Sequence, residues 1–144
     1  MFKTILVPTD GSKLADKAAQ AAAEFAQDTH GKIIALAVAE PYPYSPLAEP
    51  AFLPDPAAYD KSMLELAETY VSRVRAAEQA GVPCETYTMF SADPAKKITA
   101  TASRHGCDAV FMESHGRRGI QRLLLGSVTQ KVLAHSTLPV VVFH

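Results

Sequence analysis

The sequence contains little cysteine, no tryptophan and no marked excess of either charge. Its two cysteines, Cys84 and Cys107, lie far apart and belong to no C-x-x-C or cysteine–histidine pattern. This argues against a zinc or redox site and favours two buried, reduced thiols in a reducing compartment. The formal net charge of −1 argues against a dedicated nucleic-acid-binding protein, which usually carries a strong basic excess.

Membrane and export signals are also lacking. No uninterrupted apolar run is long enough to cross a bilayer, so we expect no membrane insertion. The chain opens with Met1-Phe2-Lys3 and a strand-like segment, without the long apolar core of a signal peptide, and we therefore expect a cytoplasmic protein. The 144 residues, 48% of them hydrophobic, can form one core but are too few for two typical domains. We expect a single domain over residues 1–144.

Two nucleotide-binding motifs and one type of metal site are missing as well. There is no G-x-x-x-x-G-K-(S/T) sequence, and no G-x-G-x-x-G follows the first strand-like segment, which excludes P-loop and common dinucleotide-binding proteins. The histidines show no metal-ligand spacing, so no metal site is assigned. They are His30, His105, His115, His135 and His144.

The chain does contain a regular alternation of strand-like and helical segments. Apolar runs typical of strands occupy residues 4–7, 32–39, 84–90, 109–112 and 138–143, and helical periodicity separates them. Ser12 is placed to begin the first helix and Gly31 to end it; the second helix is expected over residues 57–80, and Pro94 suits the first position of the third. This pattern predicts an α/β fold: a five-stranded parallel sheet with helices on both faces and the Rossmann-like strand order 3-2-1-4-5.

The most informative stretch is residues 112–129, which read as strand end, loop and helix start. Glycines lie within the loop, and Ser127 is expected to cap a helix whose free N–H groups face it. The chain has no acidic residue from Ser114 to its end, but it has four cations there, Arg117, Arg118, Arg122 and Lys131. Glycine spacing, capping serine and charge together favour an anion site over a loop with solvated arginines. If strands one and four are adjacent where the strand order reverses, this loop shares a crevice with residues 8–11.

Two regions leave alternatives open. Residues 40–56 contain six prolines and predict an irregular loop, which could be a lid, a dimer contact or a linker. The last strand is apolar, and as an exposed edge it would pair with another molecule. We expect a homodimer built on this edge; the alternative is a monomer whose own chain covers it.

Four segments together resemble the universal stress protein family over essentially the whole chain. They are residues 8–12 (PTDGS), 114–116 (SHG), 123–128 (LLLGSV) and 139–142 (PVVV). The resemblance implies a five-stranded α/β fold, a homodimer formed through the last strand, Val140 to Phe143, and membership of either an ATP-binding or a non-binding branch. In the binding branch, a G-x2-G-x9-G-(S/T) motif holds the phosphates.

Carried over residue by residue, this motif matches Gly116, Gly126 and Ser127, whereas its first glycine is replaced by Glu113. The resemblance places Asp10 near the adenine, Val38 in the base pocket, and the residues from Ser127 to Thr129 at the phosphates. The ATP site that it implies comprises Pro8, Thr9, Asp10, Val38, Met112, Glu113, His115, Gly116, Arg117, Gly126, Ser127, Val128 and Thr129.

Glu113 is the departure from the motif that matters most. An ionised carboxylate about 5 Å from a phosphate charge would be repelled by roughly 3 kcal/mol at an effective dielectric near 20, or about two decades of affinity. A magnesium ion or a ribose hydroxyl would reverse that sign. A third possibility is that the side chain points to solvent and the backbone still fits. The rest of the motif is intact, which favours retained binding.

The leading hypothesis is a homodimeric, ATP-binding stress-response protein that acts as a signalling or binding module toward an unidentified protein partner. Magnesium could accompany the ATP, and any hydrolysis should be slow. One alternative is a dimeric interaction protein of the non-binding branch. Another is a slow ATPase or phosphotransferase that uses Asp10 and a metal near Glu113, although no partner residues of a recognisable catalytic motif accompany Asp10.

Overall fold

Five strands and four α-helices alternate in the part of the chain that the structure, a computed structural model, describes, namely residues 2–41, 55–116 and 124–144. Most of the proline-rich segment, residues 42–54, and the predicted site residue Arg117 lie outside the described residues. A short 3₁₀ helix, Ala76–Ala80, extends the second helix. In chain order the elements are β1 Thr4–Pro8, α1 Lys13–Thr29, β2 Lys32–Ala39, α2 Pro56–Arg75, β3 Cys84–Phe90, α3 Pro94–Arg104, β4 Ala109–Glu113, α4 Ser127–His135 and β5 Val140–Phe143.

The strands form one parallel sheet in the order β3-β2-β1-β4-β5, which confirms the predicted order. In the centre, Leu6 pairs with Ile34 on one side and with Val110 on the other. The strand order therefore reverses between β1 and β4, and the loops that follow these two strands leave the sheet at its carboxyl edge side by side. Sheets of this kind bind ligands at that position.

Side chains of the central strands alternate between two apolar layers. Ile5 and Phe111 belong to the layer beneath α1 and α2, whereas Leu6, Val110 and Met112 belong to the layer beneath α3 and α4. All five are at most 5% exposed. Because both faces of the sheet are covered, its inner strands are continuous apolar runs and not alternating ones. The predicted helices on both faces are confirmed.

Local signals in the sequence account for several helix ends. The Ser12 Oγ accepts a hydrogen bond from the Ala15 N–H at 3.1 Å and begins α1, as predicted. Asp93 caps α3 through a hydrogen bond that its Oδ1 accepts from the Lys96 N–H at 3.3 Å, and Pro94 occupies the first helical position. These ends form where the sequence places them because each cap depends only on neighbouring residues.

Other boundaries differ from the predictions. His30, with φ of 53°, takes the left-handed position that ends α1, while Gly31 serves a different need: a Cβ atom there would lie 2.7 Å from the Lys3 carbonyl oxygen. The second helix begins at Pro56 and is α-helical only to Arg75. The last strand begins at Val140 instead of residue 138.

None of the described helices is both long and apolar enough to cross a membrane. Cys84 and Cys107 are free and buried, which confirms the prediction of two buried thiols. Burial raises the pKa of each thiol to about 11, so both thiols stay protonated at neutral pH.

Candidate functional site

A cavity of about 350 Å³ opens at the carboxyl ends of β1 and β4. Its wall contains every predicted site residue except His115, which is half-buried beside it, and Arg117, which lies outside the described residues. The loops after strands one and four thus share one crevice, as predicted. The wall comprises Pro8, Thr9, Asp10, Leu36, Val38, Glu40, Pro94, Ile98, Met112, Glu113, Gly116, Gly126, Ser127, Val128 and Thr129.

The turn between β1 and α1 fixes Asp10 through its own hydrogen bonds. The Thr9 N–H donates to the Leu36 carbonyl at 2.8 Å, which continues the sheet pairing one residue past β1. The Gly11 N–H then donates to Thr9 Oγ1 at 3.2 Å, and the Ser12 N–H donates to Asp10 Oδ1 at 2.9 Å. Side chains that bond the backbone two residues on are typical of such turns. Asp10 is therefore held in one orientation at the mouth of the cavity.

Helix α2 braces this turn from outside. Arg73 Nη2 donates to the Gly11 carbonyl at 2.8 Å and lies 3.1 Å from Asp16 Oδ1. The Tyr70 ring lies against Gly11, where a Cβ atom would be 2.2 Å from the ring Cε1. The sequence analysis missed this support because Arg73 and Gly11 are 62 residues apart. No local pattern signals such a contact.

The start of α4 forms the opposite wall. Gly126, with φ of −61° and ψ of 156°, is the N-cap, and no side chain makes a capping hydrogen bond there among the described residues. The prediction that Ser127 caps the helix is wrong by one position, because the Gly126 N–H donates to the Ser114 carbonyl at 2.7 Å and so fixes the chain before Ser127. Ser127 is the first helical residue. The first N–H groups of an α-helix have no acceptor within the helix, so this wall presents free donors.

Glycines at positions 116 and 126 allow the loop after β4 to lie close to both walls. A Cβ atom on Gly116 would lie 2.4 Å from Asp10 Oδ2, and one on Gly126 would lie 3.1 Å from the His115 Cα. The first distance is well inside van der Waals contact, so any larger residue at 116 would push the Asp10 carboxylate away. The glycine spacing thus has a steric cause at both positions.

Glu113 ends β4 and is buried, with 7% of its surface exposed. Its Oε2 has no hydrogen-bond partner among the described residues. The possibility that this side chain points to solvent is therefore wrong. Two effects raise the pKa of the Glu113 carboxyl to about 8: burial, which is the larger, and the charge of Asp10. The group is mainly uncharged at neutral pH, so the repulsion estimated for an ionised carboxylate does not apply there.

The backbone of Glu113 also ties β4 to α4. Thr129 Oγ1 donates to the Glu113 carbonyl at 2.8 Å, and Thr129 is 2% exposed. His115 does not line the cavity; its Nδ1 lies 3.0 Å from Ser114 Oγ. The bond from Thr129 thus holds the end of β4 against the first turn of α4.

Four wall residues were missed by the sequence analysis: Leu36, Glu40, Pro94 and Ile98. Leu36 and Glu40 could have been predicted from the sequence, because they lie two residues before and two residues after Val38. Side chains at this spacing point to the same face of a strand. Pro94 and Ile98 come from α3, and only the tertiary packing brings them to the cavity. Among the described residues, no group of three or more histidine, cysteine, aspartate or glutamate side chains could hold a metal ion.

Comparison with known proteins gives a consistent result. A sequence model of the Universal stress protein family matches residues 1–144. The chain is 36% identical over 140 residues to a universal stress protein of Thermus aquaticus, with 97% of each chain covered. The structure of MJ0577 from Methanocaldococcus jannaschii superposes with a TM-score of 0.76 at 26% identity, covering 99% of this chain and 96% of that chain. A universal stress protein in complex with cAMP superposes with a TM-score of 0.65 at 25% identity, covering 99% of this chain and 97% of that chain.

Proposed function

The chain belongs to the universal stress protein family, and from this premise we propose that the cavity between β1 and β4 binds an adenine nucleotide, with ATP as the first candidate. One observation carries the proposal: Gly116 lets the loop after β4 lie against the turn that presents Asp10, because a Cβ atom on Gly116 would lie 2.4 Å from Asp10 Oδ2. The complex of a 25% identical protein with cAMP supports the choice of an adenine nucleotide.

The cavity wall offers a separate environment for each part of such a ligand. Leu36, Val38 and Ile98 form an apolar surface suited to a base. The Asp10 carboxylate can accept hydrogen bonds from an adenine amine or a ribose hydroxyl. The start of α4 presents N–H groups and the positive end of a helix dipole to phosphates. The volume of about 350 Å³ lies within the range of small-molecule sites.

Magnesium would come to this site with the nucleotide. The described carboxyl groups of the wall next to β1 and β4 are Asp10 and Glu113, and the second is mainly protonated at neutral pH. A magnesium ion bound with ATP usually takes most of its ligands from phosphate oxygens and water. We therefore expect magnesium to change the affinity for ATP. We do not expect a magnesium site formed by protein groups alone.

A calorimetric titration with ATP, with and without Mg²⁺, and with AMP and cAMP tests the proposal. A ligand at about 100 times its dissociation constant also adds roughly 2.7 kcal/mol of stability, which a thermal-shift assay detects. Gly116→Ala should abolish binding by displacing Asp10. Gly81→Ala is the matched control, since an added Cβ there meets nothing within 4 Å. If no nucleotide binds the wild type, the protein belongs with the non-binding branch.

We propose further that β5 pairs with a second copy of the chain. β5 lies at an edge of the described sheet. The carbonyls of Pro139 and Phe143 accept hydrogen bonds from the Val110 and Ser114 N–H groups. Because every second residue of a strand bonds the same neighbouring strand, the backbone groups of Val140 and Val142 point outward, away from β4. An apolar edge with unpaired backbone groups is a template for another strand.

Analytical ultracentrifugation tests this dimer. The wild type should sediment as a dimer at micromolar concentration, and Val142→Pro should sediment as a monomer with an unchanged circular dichroism spectrum, because proline removes an outward N–H that β4 does not use. A monomeric wild type would contradict the proposal. In the cell we expect a cytoplasmic module whose nucleotide occupancy changes the surface shown to a protein partner.

A further inference from the structure

Glu113 stands where the family motif has its first glycine, and its carboxyl group is buried at the cavity wall. It is 7% exposed, and Oε2 has no hydrogen-bond partner among the described residues. Burying a polar group without a partner costs free energy. Ionisation of this carboxyl group would add the larger cost of a buried, unpaired charge.

The charged groups around Glu113 include no described cation that pairs with it. Asp10, from the turn after β1, is the charged group that acts on it. Helix α1, which packs against β4, buries an alanine face, and its Lys17 donates to the His144 carbonyl at 2.8 Å. His115, which follows β4, contacts the neighbouring serine hydroxyl. An ionised Glu113 would therefore face a second negative charge, with no described positive charge to offset it.

We infer that Glu113 is an uncharged carboxylic acid in the nucleotide-loaded protein, and that loss of its proton weakens the binding of phosphate-bearing nucleotides at this cavity. The inference rests on the proposed function. In its acid form the group adds no charge at the cavity. Once ionised, it adds a negative charge beside Asp10 at the cavity that is proposed to hold an anion.

The loss should occur at an accessible pH. Burial and the Asp10 charge raise the pKa of Glu113 to about 8 in the free protein, and a bound anion raises it further. ATP affinity should then be constant below about pH 7 and should fall by up to roughly tenfold per pH unit above about pH 8. The proton taken up on binding above this pH comes from the solvent.

The test is the dissociation constant of ATP, measured by calorimetry from about pH 6.5 to about pH 9.5, for the wild type and Glu113→Gln. Glutamine keeps the size of the side chain, can donate a hydrogen bond, and has no proton to lose in this range. The wild type should lose roughly tenfold or more in affinity across the alkaline half, while the glutamine variant should change by about twofold at most. The ionisation of ATP itself is shared by both proteins and cancels.

Adenosine provides a second comparison that needs no variant. It carries no phosphate, so its affinity for the wild type should depend on pH much less than that of ATP. Equal pH profiles for the wild type and Glu113→Gln with ATP, or for ATP and adenosine with the wild type, would overturn the inference and leave the proposed function standing. If neither protein binds ATP at about pH 6.5, the proposed function fails, and the inference fails with it.

Discussion

Replacing Glu113 by glutamine should make the protein more stable, by an amount that grows with pH. Burial and the Asp10 charge raise the pKa of the Glu113 carboxyl from 4.5 to about 8 in the folded chain. Between these two values the unfolded chain has lost a proton that the folded chain keeps, so the stability of the wild type falls as pH rises. Below the unfolded pKa there is no penalty, and above the folded pKa the penalty is constant. Glutamine has a similar shape and carries no such penalty.

The magnitude follows from the width of this window. Each pH unit inside it changes the free energy of unfolding by about 1.4 kcal/mol. From about pH 5 to pH 8 the wild type should therefore lose about 4 kcal/mol relative to Glu113→Gln, with roughly 3 kcal/mol of penalty present at pH 7. That is a large part of the roughly 5–15 kcal/mol typical of a domain. The change in the difference between the proteins is the useful quantity, because any constant effect of the amide cancels.

Urea unfolding followed by circular dichroism measures this difference at several pH values from about 5 to 8. Glu85→Gln is the matched control, because the Glu85 side chain is 49% exposed and a hydrogen bond from Tyr87 lowers the pKa of its carboxyl. A lowered pKa adds stability above the usual pKa and loses it only in more acidic solution, so this control should show no trend over the window. If the difference in unfolding free energy between wild type and Glu113→Gln changes by no more than about 0.5 kcal/mol from about pH 5 to pH 8, Glu113 ionises normally and the reasoning is refuted.

The remaining predictions concern Gly11 and the thiols. Gly11→Ala should cost about 3 kcal/mol or more in urea unfolding, because Gly11 has φ of 75° and an added Cβ would lie 2.2 Å from the Tyr70 ring. Gly81 also has a positive φ, of 83°, but an added Cβ there meets nothing within 4 Å, so Gly81→Ala should cost only about 1 kcal/mol. Equal losses in the two variants would contradict the contact of α2 with Gly11. Cys84 and Cys107, each with a pKa of about 11, should react with a disulfide reagent at pH 8 at least about a hundredfold more slowly in the native than in the urea-unfolded protein. A native rate close to the unfolded rate would contradict their burial.

The parts of the fold that the sequence predicts well are those that depend on local signals. The caps at Ser12 and at Asp93-Pro94 involve residues within three positions of each other, and the strand pattern follows from burial on both faces. The cap of α4 was missed because Gly126 and Ser127 are both acceptable N-caps. A contact from outside the helix, the Gly126 N–H to the Ser114 carbonyl, selects between them.

The candidate site divides in the same way. Glycine spacing places Gly116 at the cavity because the reason for the glycine is steric and appears in the sequence itself. The brace of Arg73 on Gly11 joins positions 62 residues apart and leaves no local pattern. The burial of Glu113 likewise depends on what covers the end of β4, which only the packing of the whole chain decides.

The alternation of side chains along β4 decides which face of the sheet the Glu113 side chain shares. Successive residues of a strand point to opposite faces, and Phe111 belongs to the layer beneath α1 whereas Met112 belongs to the layer beneath α4. Glu113 therefore shares the face of Phe111, away from the start of α4, and the charge that acts on it is that of Asp10 in the turn before α1. The departure from the motif therefore acts on the proposed nucleotide site through the charge of a buried carboxyl group, and a pH profile tests it more sharply than a search for a steric block.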